Sequence, residues 1–242
     1  MAGDNLFQRH YVVCRPPEEW SVSLPVIQLP PPIDNPGVSV FTAFARRKTT
    51  RGISDRPLPI QELSNLLWAA CGVNRPVGPY GIPGRTAASA SNSQEIDVYV
   101  ALESGVFLYD ALEHWLTPIL AQDLRVGALT PGQKHVSTKA PVQLIFVADL
   151  TRLTHAAEFL EPALLEIEVQ KSYYYVDTGI IAGNVYLSAA AQGLAAWFHG
   201  CHRTDLARRM ELRAEQRVLF AQSIGYAEKP LPASADERIR PQ

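Results

Sequence analysis

The run Val142-Gln143-Leu144-Ile145-Phe146-Val147-Ala148 constrains this chain more than any other segment. It is short, apolar and rich in branched side chains, the make-up of a strand buried in a sheet. Around it, Ile96, Val98, Val100 and Leu102 alternate, and Glu103-Ser104-Gly105 turns the chain into residues 106–109, which reads as a hairpin. Residues 195–198 and 218–226 read as two further strands. Helical spacing appears at Val40, Phe41, Phe44 and Ala45, and again at Ile60, Leu63, Leu67 and Ala70. In the second of these, Pro59 suits a first turn and Gly72 a terminus. Gly78, Pro79, Gly81, Pro83 and Gly84 make a loop. A long helical pattern covers 163–192 with an interruption or bend expected inside it, and a short helix is expected over 205–212. Strands and helices mix without regular alternation. The expected class is α+β, a mixed central sheet flanked by helices.

Composition sets the remaining bounds. A chain of 242 residues, 47% hydrophobic and 19% charged, can bury a substantial core as an ordinary globular protein. Residues 1–37 carry Pro16, Pro17, Pro25, Pro30, Pro31, Pro32 and Pro36, and adjacent prolines favour extended geometry. This stretch reads as an arm or a free tail, and residues 38–242 as the domain. A net charge of −2 argues against nucleic acid as a main partner. Nothing approaches the roughly 18 uninterrupted apolar residues of a membrane span. Cys14, Cys71 and Cys201 are odd in number and widely spaced, so a disulfide framework is disfavoured and a cytoplasmic setting expected.

Nucleotide and hydrolase signatures are missing: no G-x-G-x-x-G, no G-x-x-x-x-G-K-[ST] and no G-x-S-x-G. Of 22 basic residues 17 are arginine, the better bidentate ligand for carboxylate and phosphate, so local arginine clusters merit attention. One is Arg46-Arg47-Lys48-Thr49-Thr50-Arg51. In an extended segment its alternating Arg47, Thr49 and Arg51 would point to one side and suit a phosphate monoester; a solvated basic patch is the plainer reading. A second segment, residues 85–94, ends in Ser89-Ala90-Ser91-Asn92-Ser93-Gln94 just before the strand at Ile96. Its small residues would admit a flat ring near the backbone, and Asn92 and Gln94 offer donors and acceptors. It reads equally well as a polar loop. His199-Gly200-Cys201-His202 invites a metal reading, but no second His/Cys cluster supplies further ligands, so no metal is expected. Tyr173-Tyr174-Tyr175 reads as packing in preference to a substrate pocket.

Together the two segments resemble the FMN-dependent nitroreductase superfamily, which has an early R-x-S-x-R/K segment and a later P-S-x-x-N-x-Q loop. The closer resemblance is to its stand-alone SagB-type (thiazoline-oxidase-like) dehydrogenase branch. Supporting segments include Gly72-Val73-Asn74-Arg75, Gly132-Gln133, Ala140-Pro141-Val142, Asp177-Thr178-Gly179 and Gly193-Leu194-Ala195, and the match spans about residues 44–226. The resemblance implies a nitroreductase-like fold completed by homodimerisation, with FMN in two interface sites. It also implies hydride transfer through flavin N5, with NAD(P)H or an organic compound as the reaction partner. By position, Arg47 and Thr49 would hold the phosphate or ribityl oxygens. Arg51 would sit by the ribityl chain or the pyrimidine edge. Ser89, Ala90 and Asn92 would line the ring, and Gln133 would reach its pyrimidine side. Lys229 and Arg238 are candidates to complete the phosphate site. The turn at His199 and Gly200 would aim a backbone N–H at N5, a rival reading making the His199 side chain a general acid. Ala88 stands where the family has proline, Thr49 where it has serine, and Gly183 where close relatives tend to have glutamine. A non-catalytic flavin-binding or partner-binding protein on the same fold is the alternative of a different class.

Overall fold

In a computed structural model of the chain, residues 24–33, 38–133, 136, 139–156 and 166–228 are described. Cys14, Lys229 and Arg238 lie outside them. The elements run β1 (Ile27–Gln28), α1 (Val40–Arg46), α2 (Ile60–Cys71), β2 (Val73–Arg75), β3 (Gly84–Arg85), β4 (Ile96–Leu102), β5 (Gly105–Asp110), β6 (Trp115–Leu120), β7 (Val142–Asp149), α3 (Leu150–Thr154), α4 (Ile167–Ala191), β8 (Ala195–His199), α5 (Arg203–Arg209) and β9 (Gln216–Gly225).

Seven strands form one sheet in the order β1-β6-β5-β4-β7-β9-β8, and β2 pairs with β3 separately. Every strand pair in the large sheet is antiparallel. The mixture of directions expected from sequence reduces to one parallel bridge, Thr49 with Ala196, beside the β8 edge. The apolar run is β7, between β4 and β9, and all eight of its residues are buried. Its side chains alternate between two cores. Leu144 and Phe146 join Val98, Val100 and Phe107 under Leu66, Leu67, Ile181 and Val185 of α2 and α4. Ile145 and Val147 join Tyr99, Val106 and Leu108 with Leu206 and Met210 at α5.

The hairpin forms as its alternation predicts, pairing Tyr99 with Leu108 and Leu102 with Gly105. At the turn Gly105 has φ +155°, and a Cβ there would lie 2.3 Å from the Leu120 carbonyl oxygen, so no other residue fits. The long helix differs from expectation in running uninterrupted from Ile167 to Ala191. Its buried residues Tyr174, Asp177, Thr178, Ile181, Ala182, Val185 and Ala189 fall at helical spacing, so one face is buried from Tyr174 onward. Four strands give no clear sequence signal: the short pair β2 and β3, whose Gly84 reads as loop, and two strands of the large sheet. In β6, Pro118 reads as a breaker, yet the strand pairs with β5 through a register shift near Phe107. The other, β1, is two residues long.

Within the proline-rich segment, residues 24–33 lie on the domain. Ile27 pairs with Leu116. The Ser64 hydroxyl donates to the Pro30 carbonyl at 2.5 Å, and His114 Nε2 lies 2.8 Å from Ser64 Oγ and 3.1 Å from that carbonyl. Asn65 Oδ1 accepts from the Ile33 N–H at 2.8 Å. Prolines cannot donate, so α2 side chains meet the segment's exposed carbonyls.

Because Phe146 is fully buried beneath both long helices, Phe146→Ala should cost about 3–5 kcal/mol in urea unfolding. A loss under about 1 kcal/mol would show that β7 is not clamped between its two cores.

Candidate functional site

The segment leaving α1 runs along the β8 edge. Thr49 bridges Ala196, and the Thr50 N–H donates to the Ala196 carbonyl at 2.9 Å. The exposed edge N–H of Phe198 donates to Tyr186 Oη of α4 at 2.8 Å, and Thr49 Oγ1 lies 3.0 Å from the same oxygen. Arg47 stands over the Tyr186 ring at 5.6 Å and Arg51 over the Trp197 ring at 5.9 Å. The three residues therefore straddle the β8 edge: Arg47 and Thr49 meet at Tyr186, while Arg51 reaches the Trp197 side. Their expected convergence on one side is partial, because the segment follows an edge and not a face. All three are exposed, and neither arginine has a carboxylate partner among the described residues. Two unpaired cations flanking a hydroxyl suit a phosphate monoester.

Gln133 ends the short turn Pro131–Gln133, which follows Leu129, a residue packed with Ile53, Ala195 and Trp197. Its Oε1 accepts from the Thr130 N–H at 2.9 Å, which leaves the amide nitrogen as the available donor.

At the end of β8, the imidazole of His199 is buried, with 6% of its surface exposed. Nδ1 lies 2.8 Å from the Gly200 carbonyl, which can only accept, so Nδ1 carries the proton. Nε2 lies 3.0 Å from Ser223 Oγ, and that hydroxyl is 3.0 Å from Gln143 Oε1. Both ring nitrogens are thus committed inside the protein. Burial lowers the His199 pKa below its ordinary value, the Gly200 carbonyl opposing this. A Cβ on Gly200 would meet nothing within 4 Å, so open space adjoins this backbone. Cys201 is buried and His202 exposed, and no group of three or more His, Cys, Asp or Glu among the described residues is arranged to hold a metal.

The 89–94 turn is strained. Ser91, Asn92 and Gln94 have φ of 47°, 53° and 50°, in a region uncommon for residues other than glycine. Side chains over-determine it. Gln94 Nε2 donates to the Pro83 carbonyl and to Asn92 Oδ1 at 2.7 and 2.8 Å, and Gln94 Oε1 accepts from Arg85 at 2.7 Å. The Gln94 N–H donates to Ser89 Oγ at 3.0 Å, and the Ala90 N–H donates to Asp177 Oδ2 of α4 at 3.1 Å. Asp177 is a site residue that sequence reasoning passed over as a motif letter, and only the fold shows that it ties this turn down.

One chain does not bring these two segments together. Ala196, beside Thr49, is level with Ile224 and hence Val142, whereas Ile96, next to the turn, is level with Ala148. That separation is six residues along the strands and three strands across, or about 20 Å by about 14 Å.

These features meet a family already defined. The model of the nitroreductase family matches residues 44–226. A Methanocaldococcus jannaschii protein that carries the name nitroreductase is 29% identical over 208 residues, covering 82% of this chain and 95% of that protein. A crystal structure from Ralstonia eutropha JMP134, also named as a nitroreductase, is 36% identical with a TM-score of 0.74, covering 86% of this chain and 92% of that one. The NADPH:FMN oxidoreductase of Vibrio harveyi, solved with NAD+, shares the fold at 16% identity and a TM-score of 0.53, covering 84% of this chain and 76% of its own. The chain belongs to the nitroreductase family, whose members are generally oxidoreductases.

Two histidines, His199 buried and His114 half-buried, set an acid limit. Burial depresses both His199 and His114 below the ordinary value near 6.5, so both are held neutral in the fold. The stability this brings is present above about pH 6.5 and is lost as pH falls, because the unfolded chain then takes up more protons. Urea midpoints should drop between pH 7 and 5, and His199→Gln should flatten part of that slope. An unaltered slope in the variant would move the effect away from His199.

Proposed function

We propose that this chain is an FMN-dependent oxidoreductase that passes hydride equivalents through flavin N5, alternating between NAD(P)H and an organic substrate. The SagB-type dehydrogenase branch is our reading of its place in the family, and it rests on the sequence motifs quoted above. One observation carries the cofactor assignment: Arg47 and Arg51, without carboxylate partners among the described residues, flank Thr49 on a segment pinned to the β8 edge. Bound FMN would supply a ring atom that accepts and returns hydride. Arg47 and Thr49 would hold its phosphate or ribityl oxygens. Arg51 would lie towards the pyrimidine edge, where a cation favours the reduced anionic ring. The open backbone at Gly200 supports an N–H directed at N5. Since the His199 ring is committed internally, the structure favours this backbone role over a side-chain acid. Buried, unpaired Cys71 and Cys201 accord with a cytoplasmic setting.

We further propose that two copies complete each site. The 89–94 turn is too far from the 47–51 segment to serve one flavin within a chain, so it would serve the flavin held by the partner copy. The surface supports this. Phe41, Phe44, Val176 and Ile180 are exposed apolar residues on α1 and α4. A Cβ at Gly179 or Gly183 would meet nothing within 4 Å, so packing within the chain does not demand small residues there.

FMN should bind, and anaerobic NAD(P)H should bleach it. Arg47→Ala should weaken FMN about ten- to a hundredfold, as expected for a lost charge-assisted contact. Unchanged affinity in a flavin titration overturns the assignment. The shared site has its own test. A purified mixed dimer carrying Arg47→Ala on one copy and Asn92→Ala on the other should recover roughly half the FMN capacity, because one of its two sites is intact. Recovery of none would place both segments in the same site of one chain.

A further inference from the structure

Behind the 89–94 turn is a pocket of about 50 Å³ lined by Glu95, just before β4, and Asp177 of α4. Glu95 is completely buried and Asp177 is 4% exposed. The two carboxyl groups line the same pocket, close enough for a hydrogen bond between them. Two ionised carboxylates cannot make that bond, since neither has a proton to donate. Their other partners are defined. Glu95 Oε2 accepts from the Ser93 hydroxyl at 2.6 Å, and Asp177 Oδ2 accepts from the Ala90 N–H at 3.1 Å. Glu95 Oε1 is buried and receives no hydrogen bond from any other donor or backbone amide, which leaves it unpartnered unless a proton lies between it and Asp177.

We propose that Glu95 and Asp177 share one proton, and that this bond is a latch fixing the 89–94 turn to α4 and thereby the affinity of the site that the turn helps to build. The proton resides on Glu95, and Asp177 is the ionised acceptor, helped by the Ala90 N–H. The neighbouring charged and titratable groups do not replace it. Arg152 of α3 is taken by Asp97 of β4 at 2.6 Å and meets Glu95 only at its main-chain carbonyl, at 3.2 Å. Arg85 of β3 is spent on Gln94 and on the main-chain carbonyl of Cys71 in α2. The Cys71 thiol and the Tyr109 hydroxyl of β5 are both pushed up by burial and stay neutral near pH 7. Burial, with Asp177 second, raises Glu95 to about 7. A raised folded-state value means that the latch is closed below that pH and opens as pH rises through it, when two buried anions face each other.

The consequence for FMN rests on the function proposed above; the latch itself does not. The test measures hydrogen-exchange protection at the Ala90 amide, corrected for intrinsic rate, and FMN affinity, both between pH 6 and 8.5. In the wild type both should fall together, with a limiting slope of roughly tenfold per pH unit for one linked proton. Glu95→Gln can donate to Asp177 and accept from Ser93 without titrating, so it should match the wild type at pH 6 and stay flat. Flat wild-type protection, or a slope that persists in Glu95→Gln, overturns the latch. A protection slope without a matching FMN slope overturns its effect on the ligand. A protection slope in protein that binds no FMN leaves the latch standing and overturns the flavin assignment instead.

Discussion

Burial of β7 on both faces is the constraint from which the architecture follows. A strand with Leu144 and Phe146 on one side and Ile145 and Val147 on the other cannot sit at a water-facing surface. The helices α2 and α4 must cover one face, and α5 with its flanking residues the other. With both faces occupied, the sheet's edge is where a binding segment can lie. The arginine-bearing chain after α1 lies there, along β8.

The long helix α4 links this core to both halves of the site. Tyr186 holds Phe198 and Thr49, and Asp177 holds the Ala90 amide. These residues are nine positions apart, about 180° around the helix and about 13 Å along it. One helix therefore serves the β8 segment on one side and the 89–94 turn on the other. Its remaining surface, with Val176, Ile180 and the two glycines, is uncovered within the chain, which is where we propose the second copy packs.

Much of this was legible in the sequence, for physical reasons. The buried strand, the hairpin and α2 each announce themselves through local periodicity, which needs no long-range information. Arg47, Thr49, Arg51 and the 89–94 segment stood out through their joint resemblance to the nitroreductase family, since each alone reads as well as a basic patch or a polar loop. Tertiary effects stayed hidden. Pro118 argues locally against β6, and only pairing with β5 overrides it. Nothing local distinguishes Asp177 from a solvated helix carboxylate, since its burial and its two partners come from distant segments. The surroundings of the His199 imidazole, whose role as an acid was the rival to a backbone role for this turn, were equally hidden: pleat alternation turns the ring towards Ser223 and Gln143.

The Tyr186 hydroxyl has a consequence for solubility. An outermost strand presents unpaired amides that can template strand addition by other molecules, the first step of edge-to-edge aggregation. On β8 the Phe198 amide is occupied by a phenol and the Ala196 carbonyl by the Thr50 N–H, so that row is closed by a side chain and a short stretch of backbone. The rim that carries Arg47 and Arg51, where we propose a ligand binds, is thereby denied to a neighbouring sheet, and a single oxygen atom on α4 contributes to both.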